Sequence, residues 1–184
     1  MAIKKTSKEE ILQESIKLFK IKGYYNCSMA NIADACGLIK GSIYHYFKSK
    51  DEIGIESLKY IHNYFVENIF SIAYKKDLSD LEKIKLFVKK IDEYFLNSKG
   101  GCLLGNLALE VSSENSEFKE VIKEYFSAWE DALTKILENK YGTNQAKNIS
   151  KEYVSLTQGT IMMMNLYDTP SGYLKVGEKL ISLI

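Results

Sequence analysis

The sequence predicts an all-helical protein. Three observations carry that expectation. Apolar residues recur at helical spacing along most of the chain. Its 184 residues hold one proline and eleven glycines, too few breakers for a turn-rich sheet. No stretch sustains the two-residue alternation of a half-buried strand. The pattern divides into about nine helices: a head of three short ones over residues 1–49, and a larger helical bundle over residues 50–184.

The elements follow in order. Ser7, with Glu10 three residues on, is a capping box; Leu12, Ile16 and Phe19 then share a face, and Gly23 supplies a stop. A second helix starts at the cap Ser28, buries Ile32 and Ala33, and ends at Gly37. A third, short one covers about Lys40 to Tyr46. The fourth runs from Lys50 to near Lys76 with Leu58, Ile61, Phe65, Ile69 and Ile72 inward. Ser79 caps a fifth, in which Ile84, Val88, Ile91 and Phe95 align. Gly100-Gly101 breaks the chain. From Cys102 to about Ser112 the residues are apolar nearly all round, which predicts a buried sixth helix. Phe118, Val121, Ile122, Tyr125, Phe126, Trp129, Leu133, Ile136 and Leu137 form the widest stripe, the seventh. An eighth spans about Asn144 to Leu166, and a ninth follows Pro170, a residue at home in a first helical turn.

Composition narrows the function. A 46% hydrophobic and 27% charged chain can fill a sizeable core. No apolar run approaches the roughly 20 residues that cross a bilayer. The start, MAIKKTSKEE, lacks the apolar region of a signal peptide, so a cytoplasmic location is expected. Cys27, Cys36 and Cys102 form no CxxC pair, and the two histidines, His45 and His62, complete no zinc spacing; no metal and no cofactor are expected. No GxSxG, phosphate loop or HExxH is present, which argues against an enzyme. A Cys102-dependent enzyme would have His62 as the one histidine of the body to use as a base. Charge is uneven: residues 1–50 carry nine lysines against four acids, and residues 51–184 sixteen against twenty. A basic head on an acidic body suits a head that meets phosphates. Every cation is a lysine, so the bidentate arginine–guanine contact is unavailable.

Ser28 to Glu52 is the most informative stretch. A helix-turn-helix needs a short first helix with small residues, and Ala30, Ala33 and Ala35 supply them. Its turn needs a residue tolerant of positive φ, and Gly37 is placed for that. Its second helix must anchor inward, through Ile43 and Phe47, and turn polar or small side chains to the major groove. The run Ser28, Ile32, Ala33, Cys36, Gly37, Leu38, Lys40, Gly41, Ser42, Ile43, Tyr44, Tyr46, Phe47, Ser49, Lys50, Asp51, Glu52 and Ile53 resembles, in order and spacing, the TetR family of bacterial regulators. Leu18-Phe19 and Gly23-Tyr24 resemble the end of that family's first helix. Two departures stand out: Ile39, where the family often has a capping serine or threonine, and Cys36 in place of the commoner alanine.

The resemblance implies a DNA-binding regulator, most simply a dimeric repressor released from a palindromic operator by a small-molecule or electrophile effector. The recognition segment then offers Lys40, Gly41, Ser42, Tyr44 and His45 to DNA, with Lys40 and His45 at base edges. Ser28, Tyr46, Lys48 and Lys50 are the expected phosphate contacts. Packing in an aromatic mini-core is the competing role for Tyr44 and Tyr46, and simple solvation for His45. Lys4 and Lys5 read as a solvated tail more readily than as a basic arm. A homodimer through the last two helices would set the two recognition helices about 34 Å apart or a little more. Phe65, Phe87, Tyr94, Cys102, Asn106, Tyr125, Trp129 and Met162 are the candidate effector-binding residues, with plain core packing the alternative for most. The segment GGCLLGNLALEVS resembles a subgroup in which a cysteine at the start of the sixth helix takes part in sensing reactive electrophiles or oxidants; the competing role of Cys102 is a small buried residue. A helical interaction module without DNA binding is the remaining alternative for the whole chain.

Overall fold

Ser7, Ser28 and Ser79 each open a helix by the same reciprocal device. The serine oxygen accepts from the backbone N–H three residues on, and that residue's side chain (Glu10, Asn31, Glu82) accepts from the serine N–H. In the computed structural model, which describes residues 6–111, 113 and 115–184, these caps begin three of eight α-helices. They are α1 (Lys8–Lys22), α2 (Met29–Ala35), α3 (Lys50–Asn68), α4 (Asp80–Leu96), α5 (Leu103–Glu110), α6 (Ser116–Tyr141), α7 (Thr143–Tyr167) and α8 (Ser171–Ile181). Two 3₁₀ segments, Ser42–His45 and Phe70–Tyr74, complete the described residues, which include no strand. The all-helical expectation therefore holds. Lys4 and Lys5 lie outside the described residues.

Three expectations change in detail. The third helix is a four-residue 3₁₀ segment, because Gly41 before it carries no capping side chain and Ile39 offers no acceptor either. The fourth stops at Asn68 and continues as the 3₁₀ segment. There the Asn68 amide donates to the Tyr64 carbonyl and the Ser71 hydroxyl to the Glu67 carbonyl, so side chains compete with the helical ladder. The sixth, α5, is not buried all round: Leu103, Leu104 and Leu107 are buried, but Leu109 is 89% exposed. Ser112, near its expected end, is outside the described residues.

Contacts group the chain into two units. The first joins the chain up to Ile61 with Leu103–Ile122. Its core includes Ile11, Phe19, Ile32, Ile43, Phe47, Ile53, Leu58 and Phe118. The α1–α2 loop is fastened within it from α5. One Glu110 carboxylate oxygen accepts from Tyr24 N–H at 2.9 Å and the other from Tyr25 N–H at 2.8 Å. Gly54 of α3 lets the Phe118 and Tyr24 rings close over the helix, since a Cβ at that position would lie 2.6 Å from Phe118 Cζ.

The second unit joins His62–Cys102 with Lys123–Ile184. Its centre is aromatic. Phe65 lies 4.6 Å, centroid to centroid, from Tyr94 and 5.2 Å from Tyr125, and Phe95 stacks on Trp129 at 6.2 Å. Thr134 on α6 donates to Ser150 on α7 at 3.1 Å, which satisfies a buried hydroxyl between the two helices. Gly177 brings α8 against Val88 of α4, where a Cβ would meet a methyl at 2.6 Å.

Candidate nucleic-acid interface

The recognition segment of the head is held by a small apolar anchor, Ile43 and Phe47. Helix α2 ends in a tight turn: Cys36 N–H returns to the Ile32 and Ala33 carbonyls, Gly37 N–H to Asp34 and Leu38 N–H to Ala33. Gly37 takes φ +68°, the left-handed conformation that glycine adopts without a Cβ clash. The chain then enters Ser42–His45, with Ile43 and Phe47 fully buried one helical step apart. That anchoring leaves Ile39, Lys40, Gly41, Tyr44 and His45 exposed and Ser42 half-buried. Ser42 N–H donates to the Ile39 carbonyl at 2.8 Å, which ties Ile39 to the segment it precedes.

The expected phosphate contacts divide into two groups. Ser28 is exposed at the start of α2, its hydroxyl shared with Asn31, and Lys48 is exposed while its backbone N–H donates to Glu52 at 2.6 Å. Tyr46 and Lys50 are engaged within the protein. The Tyr46 hydroxyl donates to the Thr6 carbonyl at 2.9 Å. The Lys50 ammonium donates to the Tyr24 carbonyl at 3.0 Å and sits 4.2 Å above the Tyr24 ring. The Tyr24 hydroxyl in turn donates to Asp51, and burial first, then that carboxylate, push its pKa far upward. Tyr46 thus ties the recognition segment to the chain before α1, and Lys50 ties the start of α3 to the α1–α2 loop, contacts the motif pattern alone did not reveal.

The candidate effector residues are scattered in character. Phe65, Phe87, Tyr125 and Trp129 are buried in the second unit and Tyr94 is half-buried there. Cys102 is 4% exposed. Asn106 and Met162 are exposed. The Tyr125 hydroxyl is fully buried without a hydrogen-bond partner, and burial, with Cys102 and Tyr94 nearby, drives its pKa up. Phe87 and Trp129 also line a cleft between α4, α6, α7 and α8 whose free volume, about 20 Å³, suits one water molecule. Asp92, Thr157, Tyr173 and Gly177 line it too, and the sequence reading missed them. A signal existed for Asp92: it stands one turn after Val88 on the inward stripe of α4, where a carboxylate is out of place. Burial raises the Asp92 pKa above its usual range, with the neighbouring Tyr173 hydroxyl acting the other way.

No helix among the described residues is long and apolar enough to cross a membrane. Comparison with known proteins agrees with the geometry. The sequence profile of bacterial regulatory proteins of the tetR family matches residues 7–56. That of the LmrA/YxaF-like transcriptional regulator C-terminal domain matches residues 81–174, more than half of the chain. The HTH-type transcriptional regulator YxaF of Bacillus subtilis is 28% identical over 182 residues, covering 97% of this chain and 95% of its own. IcaR of Staphylococcus epidermidis, negative regulator of the biofilm operon icaADBC, is 26% identical over 132 residues, 70% of this chain and 68% of its own. A TetR transcriptional regulator from Legionella pneumophila has a solved structure that superposes with a TM-score of 0.88 at 26% identity, covering all of both chains. A helix-turn-helix anchored by Ile43 and Phe47, a helical body, and these matches over both parts agree: the chain belongs to the TetR family of DNA-binding transcriptional regulators.

Proposed function

We propose that the protein is a homodimeric repressor that leaves a palindromic operator when an effector enters its helical body. The observation that carries the reading is the exposed set Lys40, Gly41, Tyr44 and His45, held outward by buried Ile43 and Phe47. Lys40 and His45 are the base-edge donors in this reading, with Ser42 and Tyr44 beside them. Ser28, Tyr46, Lys48 and Lys50 carry the phosphate contacts, Tyr46 and Lys50 from positions already fixed by the Thr6 and Tyr24 carbonyls. Repression rather than activation is supported by the kinship with IcaR. Helix α7 supports pairing of two chains: Leu156, Gly159, Met163, Leu166 and Tyr167 are exposed along one side of it, an apolar stripe that a second copy would cover.

The effector is read as a small apolar or aromatic molecule that opens the cleft beside Phe87 and Trp129 and is stabilised in the state that does not bind DNA. A covalent electrophile at Cys102 is the less favoured effector, because a sulfur this buried is reached after entry into the body. The test is a mobility-shift titration on DNA from upstream of the protein's own gene at rising salt. Binding is expected to fall steeply, and Lys48→Ala to lower the slope of log affinity against log salt by about 1. Binding that ignores salt, or none at low salt, would reject the regulator reading.

A further inference from the structure

Ile39 is 82% exposed and stands three residues before the Ser42–His45 segment, which the proposed function places in the major groove. Single exposed apolar residues are ordinary on protein surfaces and by themselves say nothing. Position distinguishes this one. In helix-turn-helix proteins the first residues of the recognition element reach base edges. Ile39 stands at that end, its carbonyl fixed by Ser42 N–H at 2.8 Å. Gly41 beside it would have no atom within 4 Å of an added Cβ, so the surface next to Ile39 is low and open enough for close approach.

The chemistry selects a partner. A sec-butyl group neither donates nor accepts hydrogen bonds. Against the edges of guanine, cytosine or adenine it would strip water from polar atoms and return nothing. The major groove offers one apolar group, the 5-methyl of thymine. The chain also has no arginine to read guanine bidentately, so discrimination must come from elsewhere. We propose that Ile39 is a specificity residue that reads the 5-methyl group of a thymine in each operator half-site. The departure from a capping serine or threonine then exchanges a helix cap for a base contact, which agrees with the short 3₁₀ form of the segment.

The inference rests on the DNA-binding reading, and the experiment separates the two. An operator is selected from random duplexes with the full-length protein. Each thymine is then replaced, one at a time, by deoxyuridine, which removes the methyl and leaves every hydrogen bond. At one thymine per half-site the wild-type protein is expected to lose about 3- to 10-fold in affinity, the scale of one or two buried methyl contacts. Ile39→Ala is expected to bind the thymine operator as weakly as wild type binds the operator with that thymine replaced in both half-sites, and to be indifferent to the replacement. Ile39→Val is expected to keep part of the methyl dependence. Because Ile39 is exposed, unchanged helicity and melting of the variants verify that the head is intact. The proposal is overturned if no thymine methyl matters to the wild type. It is equally overturned if Ile39→Ala weakens all sequences alike while methyl dependence persists, which would put Ile39 on the sugar–phosphate backbone. Failure to select any duplex would instead reject DNA binding itself.

Discussion

Gly54 shows how a single residue can be decided by a ring on the other side of a contact. In mid-helix a glycine costs roughly 1 kcal/mol relative to alanine. Here the alternative is worse, because an added Cβ would lie 2.6 Å from Phe118 Cζ and 2.9 Å from Tyr24 Cε2. Both rings are buried, and they meet edge to face with centroids 5.2 Å apart. Gly54→Ala is therefore expected to destabilise the protein by about 1–3 kcal/mol despite the better helix propensity. Urea denaturation would register this as a lower midpoint at unchanged slope. A neutral or stabilised variant would mean that the rings move. Nothing in the sequence announces Gly54. Its reason lies in Phe118, far along the chain, whereas the left-handed Gly37 was legible because its cause, the turn, is local. Tyr46 and Lys50 show the same limit: their spacing gave a place near DNA, and the Thr6 and Tyr24 carbonyls that occupy them could not be read from spacing.

Among the elements, those with capping boxes were the readiest to locate, since Ser7, Ser28 and Ser79 carry their partners within one turn. The 3₁₀ form of Ser42–His45 and the two-faced character of α5 were not legible. The missing cap showed at Ile39, but not that the segment after it would close as a 3₁₀ turn, and the faces of α5 depend on which neighbour covers which leucine. The polar end of α5 matters most. Glu110 holds the amides of Tyr24 and Tyr25 with one oxygen each, and charged acceptors of this kind contribute about 1.5–3 kcal/mol. Glu110→Ala is expected to speed amide hydrogen exchange at both Tyr24 and Tyr25. Glu110→Gln, with one carbonyl oxygen, is expected to release one of them and keep the other. Equal protection in all three proteins would show that the loop is held by something else, the Lys50 contact with the Tyr24 carbonyl being the alternative.

At the scale of the whole molecule, the aromatic body was visible as a composition and a set of stripes. Its division into packed core and cleft was not, because periodicity tells which side chains turn inward and not how closely they meet. Phe65 and Tyr125 are packed against other rings, Phe87 and Trp129 border the cleft as well, and Met162 is exposed. Assembly gives the test at this scale. Leu166 is 66% exposed and Met163 is exposed beside it on α7. The double variant Met163→Glu with Leu166→Glu is expected to sediment as a monomer, with unchanged helicity and an operator affinity reduced by orders of magnitude, since both half-sites would no longer be held together. A dimer that survives both charges would place the interface elsewhere.

The contact between Glu110 and the α1–α2 loop also bears on how such regulators can be recombined. A hybrid made by cutting after residue 49 and joining this head to a foreign body would leave behind Gly54, the Phe118 ring and the acceptor for two backbone amides. The unit that contacts define around the head is discontinuous: the chain up to Ile61 together with Leu103–Ile122. A new DNA specificity grafted onto this body will fold as well as its own Tyr24, Tyr25 and Gly54 equivalents fit the α5 that receives them.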